Sequence, residues 1–168
     1  MTALRLAHRF LVVSALGLWL GGFTVYAAFV IRIGHRLVPG GRFGFVTAQV
    51  TSVLDVLAGV AALAMTVSLV ANRRVLSGGL KWASLGTWIV LIAGLMAAFL
   101  LHARLDSLLD FKTHEIREPT TFQTLHEAYE MAATMQWGAG LVALWCSLAS
   151  WRRQDAAVVA APQRQAGL

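Results

Sequence analysis

The sequence FGFVTAQVTSVLDVLAGVAALAMTVSLVAN, residues 43–72, contains 30 consecutive residues of which only Asp55 carries a formal charge. A helix rises about 1.5 Å per residue, so roughly 20 apolar residues cross the hydrocarbon core of a bilayer. The stretch is therefore long enough for a transmembrane helix. Because its apolar residues run continuously and do not alternate with polar ones, a membrane-spanning strand is not expected.

Three further apolar segments accompany this stretch, each lying between charged residues. We predict four helical spans, at about residues 10–33, 46–71, 82–103 and 128–151. They form one domain of residues 1–153, and residues 154–168, rich in Ala and Gln, are expected to be a disordered tail. The predicted fold class is all-α, an integral membrane four-helix antiparallel bundle.

The first span has an alternative interpretation as a secretory signal. Arg5 and Arg9 would form its charged region, and Val25-Tyr26-Ala27 resembles a cleavage site. The apolar run continues beyond that site to Ile31, which is longer than a signal core. A retained helix is therefore the favoured interpretation.

The overall composition agrees with a membrane protein. Hydrophobic residues make up 58% and charged residues 13%, against about 25% charged in soluble domains, and the mean hydropathy is +0.67. The 14 Lys and Arg residues are scattered in small groups, which does not favour nucleic-acid binding. Eight of them fall on the side of the two termini and six on the other side, so we expect both termini to be cytoplasmic and the membrane to be the cytoplasmic (inner) one.

Glycines mark both turns and helix contacts. Pro39-Gly40-Gly41 and Ser77-Gly78-Gly79 separate the first three spans. Gly17 and Gly21, four residues apart, are a small-residue pair that lets another helix approach closely. Packing within the chain is the favoured role of this pair, and association of two copies is the alternative.

Asp55 is the most informative polar residue, because a carboxyl group at membrane depth is costly unless it is paired or protonated. We expect it to face the interior, with Gln49 and Ser52 on a partly polar face and with a partner on a neighbouring helix, for instance Gln136 of the fourth span. For the Gln136 amide, a hydrogen bond between helices is the favoured role. The structural interpretation is a hydrogen bond between helices. The functional one is an intramembrane binding site on a proton, ion or metal pathway.

Histidines gather on one predicted side of the membrane. His126 and Glu130 are i, i+4 neighbours on a helix face. Together with His35 and His102 they are predicted to form the outer mouth of the site. These residues could ligate a transition metal, or His102 and His126 could be axial ligands of a haem, although no closely spaced ligand motif is present.

The catalytic motifs with a defined spacing are missing from the sequence. It contains no G-x-S-x-G, no phosphate-binding loop, no dinucleotide fingerprint and no H-E-x-x-H. We therefore expect a protein that is not an enzyme.

Two motifs carry a family resemblance: LWLGGF at residues 18–23, and Phe122-x-x-Leu125-His126-x-x-Tyr129 at the entry to the fourth span. With four spans in a chain of this length, the protein resembles the transmembrane-protein-205-like family, a four-helix membrane domain of unknown function. Trp-x-Gly-Gly also occurs in copper-resistance-protein-D-like membrane proteins, which the chain resembles less elsewhere. The resemblance implies the fold and little about activity.

The sequence thus predicts a non-enzymatic binding or accessory component of a membrane. The alternatives are a small ion- or metal-handling transporter that uses Asp55, and a haem-binding membrane subunit that uses His102 and His126. The expected partners are the lipid bilayer and either other membrane subunits or further copies of the chain.

Overall fold

The computed structural model describes residues 3–38, 43–73, 76, 78–110, 112–113 and 115–165. Within these residues the chain forms five α-helices: α1 (Ala3–Val25), α2 (Ile31–Leu37), α3 (Phe43–Asn72), α4 (Gly78–Leu108) and α5 (Pro119–Gln165). A π-helical segment, Tyr26–Val30, joins α1 to α2. Strands β1 (Leu109–Asp110) and β2 (Glu115–Ile116) pair antiparallel between α4 and α5. Apart from this hairpin, the fold is all-helical, as predicted.

Three helical stretches are long and apolar enough to cross a membrane: Ala3–Leu37, Phe43–Asn72 and Gly78–Leu108. They contain the first three predicted spans and extend beyond them at both ends, because a helical backbone can continue into polar sequence where water satisfies exposed groups. The fourth predicted span lies inside α5, which does not meet the same criterion in the described part of the chain. Gln136 lowers the hydropathy of that segment.

α5 also continues past the predicted end of the fourth span. Residues 154–165, expected as part of a disordered tail, are helical. The first of these residues are tied to other helices, since Gln154 hydrogen-bonds Asn72 and Asp155 pairs with Arg9. The sequence pattern could not predict these contacts, because they join parts of the chain more than 80 residues apart.

The long helices pack around a shared apolar interior. α1 contacts α3 and α5, and α4 contacts the same two helices. Leu16, Met65 and Leu91 are fully buried among them. Large apolar side chains also cover the outer faces, Leu18 and Leu63 among them. Exposed apolar surface on this scale is typical of a protein surrounded by lipid.

Glycines shape the helix contacts, though not at the pair that the sequence singles out. A Cβ at Gly140 would meet the side chains of Trp19 and Leu20, so glycine lets α5 approach α1 closely there. In contrast, a Cβ at Gly17 or Gly21 would meet no atom within 4 Å, and both residues are exposed. The prediction that this pair packs within the chain is therefore wrong.

Of the predicted turns, Gly78 is described and has a φ of +57°, a backbone conformation that favours glycine. It begins α4 directly. Residues 39–41 and Ser77 lie outside the described residues.

Candidate functional site

Two groups of polar side chains connect the helices, and each reaches from the buried interior toward the surface. One, the carboxylate cluster, consists of Asp55, His102, Tyr129, Ser52 and Asp106. The other, the serine cluster, lies further along the same helices and consists of Ser68, Ser84, Ser147, Ser150, Asn72 and Gln154. Asp55 and Ser68 are 13 residues apart on α3, which is about 20 Å along the helix.

Asp55 is the centre of the carboxylate cluster. It is 7% exposed, and both of its carboxylate oxygens have a partner. His102 Nδ1 of α4 lies 3.1 Å from Oδ2, and the Tyr129 hydroxyl of α5 donates to Oδ1 at 3.1 Å. The prediction that Asp55 faces the interior and is paired is confirmed. Its partners are supplied by two other helices, α4 and α5.

Gln136 is not a partner of Asp55, which corrects that part of the prediction. Its Nε2 donates to the Leu91 carbonyl of α4 at 3.3 Å, and it is buried. A Cβ at Gly94 would lie 3.0 Å from the Gln136 side chain, so a small residue on α4 makes room for the amide. Gln136 therefore joins α4 to α5 at a separate position, which confirms the predicted amide hydrogen bond between helices.

The second ring nitrogen of His102 points away from Asp55. Nε2 lies 3.2 Å from Ser52 Oγ and 3.7 Å from Asp106 Oδ1, one turn further along α4. The Asp106 side chain is 47% exposed. A continuous series of polar groups therefore leads from an exposed carboxylate, through His102, to the buried carboxylate of Asp55.

The hydrogen bonds at Ser52 allow two proton arrangements. Its hydroxyl has a single proton, and both the Ala48 carbonyl (3.0 Å) and His102 Nε2 (3.2 Å) are within reach. If Ser52 donates to His102, the imidazole is neutral and donates from Nδ1 to Asp55. If Ser52 donates to Ala48 and His102 keeps its proton on Nδ1, Nε2 can carry a second proton and donate to Ser52, which makes the ring an imidazolium. The two arrangements differ by one proton on nearly the same framework.

Apolar and aromatic contacts enclose the cluster. The Tyr129 ring meets the His102 ring edge-on, with centroids 5.8 Å apart and planes at 88°. Tyr129 also packs with Ala98, Leu105 and Ala133. Since charges interact more strongly where water is excluded, removing one member of such a pair is costly.

The predicted outer-mouth residues do not form one site. His126 Nε2 lies 3.2 Å from Glu130 Oε1, which confirms the i, i+4 contact, and its ring stacks on Phe122. His35 Nδ1 lies 2.9 Å from the Ile31 carbonyl near the end of α2. Gln49 is exposed on α3 and does not join Asp55. Of this predicted set, only His102 meets Asp55.

The geometry gives little support to a metal or haem site. Within the described residues, no group of three or more His, Cys, Asp or Glu side chains could hold a metal ion. Ligation of a haem iron by His102 Nε2 would require that atom to leave Ser52. His126, the other proposed axial ligand, lies against Glu130.

Tyr129 and the contact between Ser52 and His102 are the features that sequence analysis missed. Tyr129 belongs to one of the two motifs of the family resemblance. The residues around it in sequence do not indicate that it contacts Asp55, which is 74 residues away. The sequence did give the depth of both residues in the membrane. In an up-and-down bundle the second and fourth spans run in the same direction, so Asp55, early in the second span, and Tyr129, near the start of the fourth, lie in the same half of the bundle.

The serine cluster is built differently, from groups without formal charge. Ser147 donates to the Ala143 carbonyl of its own helix at 2.9 Å and lies 3.6 Å from Met65 Sδ. Asn72 donates to Ser68 Oγ at 3.2 Å and accepts from Gln154 Nε2 at 2.8 Å. These hydroxyl and amide groups close the interior at the end that carries the chain termini.

Ion pairs lie beyond both clusters. Arg9 donates to both oxygens of Asp155 at 2.9 Å, and this interaction holds the pKa of Asp155 below its usual range. At the opposite end, Asp110 Oδ1 accepts from the backbone N–H groups of Lys112 and Thr113, which lowers the pKa of Asp110. Asp155 thereby joins α5 to α1, and Asp110 of β1 holds the backbone of Lys112 and Thr113.

Comparison with known protein families, characterised proteins and solved structures gives no match to this chain.

Proposed function

We propose that the chain is a non-enzymatic integral membrane protein that crosses the bilayer four times as an antiparallel four-helix bundle and acts as a binding or accessory component. Three stretches are long and apolar enough to cross. The proposed fourth crossing is α5, which packs on α1 and α4 and supplies inward polar groups to both clusters. The resemblance to the transmembrane-protein-205-like family supports the same architecture.

The observation that carries the proposal is the burial of Asp55 between three helices whose outer faces are apolar. Polar side chains on the inside and apolar side chains on the outside suit a protein in lipid, where the burial of apolar surface away from water does not drive helices together. In this proposal the carboxylate cluster both fixes the helix arrangement and provides the binding site. Both termini lie on the cytoplasmic side of the inner membrane.

The topology can be tested with cysteine labelling, because Cys146 is the single cysteine of the chain. In a Cys146→Ala background, single cysteines replace Gly79, Glu115 or Ala156, all of which are exposed. Membrane-impermeant maleimide should label Glu115→Cys in intact cells, and the other two only after permeabilisation. Labelling of Glu115→Cys and Ala156→Cys from the same side would show that α5 does not cross. Release of the protein by alkaline carbonate would contradict membrane integration itself.

A second candidate function is proton handling. Of the ions that a small transporter using Asp55 could handle, the geometry favours the proton. Two observations support it: the carboxylate cluster accommodates one additional proton at His102, and exposed Asp106 gives that histidine a polar route outward. The apolar interior around Leu16 and Leu91 lies on the other side of Asp55, so movement across the membrane would require a conformational change.

Purified protein in liposomes distinguishes the two functions. An imposed membrane potential drives proton entry, which is followed with an enclosed pH-sensitive dye. Proton handling predicts a flux above that of protein-free liposomes, abolished by Asp55→Asn and kept by Gln49→Ala, a change at an exposed position of the same helix. A binding or accessory role predicts no flux that depends on Asp55.

A further inference from the structure

We propose that a groove on the outer face of α5, at the end of the helix that follows the serine cluster, binds an anionic phospholipid. The inference rests on the proposed membrane location. The groove is an open space of about 490 Å³ along one face of this helix. Its lining residues are Trp145, Leu148, Ala149, Arg152, Arg153 and Ala156.

The charges of the groove favour an anionic ligand. Arg152 and Arg153 are exposed, and neither has an acidic partner in the part of the chain that the structure describes. Arg9, at the same end of the molecule, is instead paired with both oxygens of Asp155. Each of these guanidinium groups presents a fork of donors that matches a phosphate group, and both border the same groove.

The apolar part of the groove favours a lipid over a soluble phosphate compound. Trp145 is 64% exposed and Leu148 is 50% exposed, and both line the groove below the arginines. Arg152 follows Trp145 by seven residues, about 10 Å along the helix. In the proposed orientation the arginines lie at the headgroup level and the tryptophan and leucine meet the acyl chain, as expected at a membrane interface.

Lipid binding can be measured by native mass spectrometry on the full chain in a neutral detergent, with phosphatidylglycerol or phosphatidylcholine added at equal concentration. We expect phosphatidylglycerol to be retained preferentially. The double variant Arg152→Gln/Arg153→Gln should bind it roughly tenfold to thirtyfold more weakly. Trp145→Ala should weaken retention of both lipids, because it removes contact with the acyl chain.

The matched control is Arg5→Gln/Arg73→Gln, which removes the same charge from exposed positions at the same end of the molecule. It should leave phosphatidylglycerol binding within about twofold of the unmodified chain. Equal loss in both double variants would overturn the proposal, since binding would then reflect overall charge. Unchanged binding in Arg152→Gln/Arg153→Gln would overturn it as well, because the lipid would then be held elsewhere.

Soluble glycerol phosphate provides the remaining comparison. If it displaces phosphatidylglycerol at equal concentration, the site recognises a phosphate group alone and the lipid proposal is wrong. These outcomes are separate from the labelling experiment. A correct four-span topology with no selective lipid retention would reject the groove and leave the proposed function intact.

Discussion

The carboxylate cluster and the serine cluster lie about 20 Å apart along the same helices. They differ in how their buried polar groups obtain hydrogen-bond partners. Ser147 satisfies its hydroxyl on the preceding turn of its own helix, as serine can do without help from tertiary structure. Asp55 instead takes its partners from α4 and α5. A buried hydroxyl therefore tolerates several helix arrangements, whereas a buried carboxylate requires a particular one.

The largest difference between the clusters should follow from removal of His102. His102→Ala leaves the Asp55 carboxylate buried with only the Tyr129 hydroxyl, so we expect the free energy of unfolding to fall by about 3–5 kcal/mol. Equilibrium unfolding in mixed micelles of increasing SDS content measures the loss. His126→Ala, at a half-exposed histidine that has no contact with Asp55, is the control and should cost about 1 kcal/mol or less.

A companion variant distinguishes two contributions to the free energy of unfolding: the cost of leaving Asp55 buried without His102, and the net stability that the pair provides. Asp55→Leu/His102→Leu removes both partners, and should recover most of the stability lost in His102→Ala. If His102→Ala is as mild as His126→Ala, the carboxylate cluster does not fix the helix arrangement.

Tyr129→Phe should have an intermediate effect, because it removes one donor to Asp55 and keeps the ring that packs on His102. A hydrogen bond to a charged acceptor predicts a loss of about 1.5 kcal/mol. A double-mutant cycle with Asp55→Asn in the same unfolding assay measures the coupling directly. If the losses of unfolding free energy in the two single variants add up to the loss in the double variant, the 3.1 Å hydrogen bond between Tyr129 and Asp55 contributes no coupling energy.

Ser147→Ala should cost much less than either change in the carboxylate cluster. Hydrogen bonds between side chains in membrane proteins average about 0.6 kcal/mol, and the Ser147 hydroxyl bonds mainly to its own helix. The same unfolding assay gives the value. A loss above about 2 kcal/mol would remove the distinction between the clusters.

The smallest effect is expected beyond the serine cluster, at the pair of Arg9 and Asp155. Because the pKa of Asp155 is lowered in the folded chain, the pair adds stability above the ordinary aspartate pKa of about 3.9, and this contribution is lost as the pH falls through the lowered pKa. Hydrogen exchange of the backbone amides at residues 154–160 should therefore be protected at pH 6 and less protected near pH 3. Arg9→Gln should remove the part of this change that depends on the ion pair.

The sequence by itself determined that the chain is helical, that three of its stretches are long and apolar enough for a membrane, and that Asp55 must face inward. These features follow from hydropathy, helix length and the cost of burying a carboxyl group. Each is a property of a single segment, so it can be derived from residues that are close together in the chain.

Only the tertiary structure decided which groups meet. His102 and Tyr129 lie 47 and 74 residues from Asp55, and their contact depends on how α3, α4 and α5 are rotated about their axes. The rotation of α1 turns Gly17 and Gly21 outward, and that of α5 places Gly140 against Trp19. Hydropathy changes little with rotation of a helix that is apolar on all sides, so a sequence pattern gives the depth of a residue but not its partner.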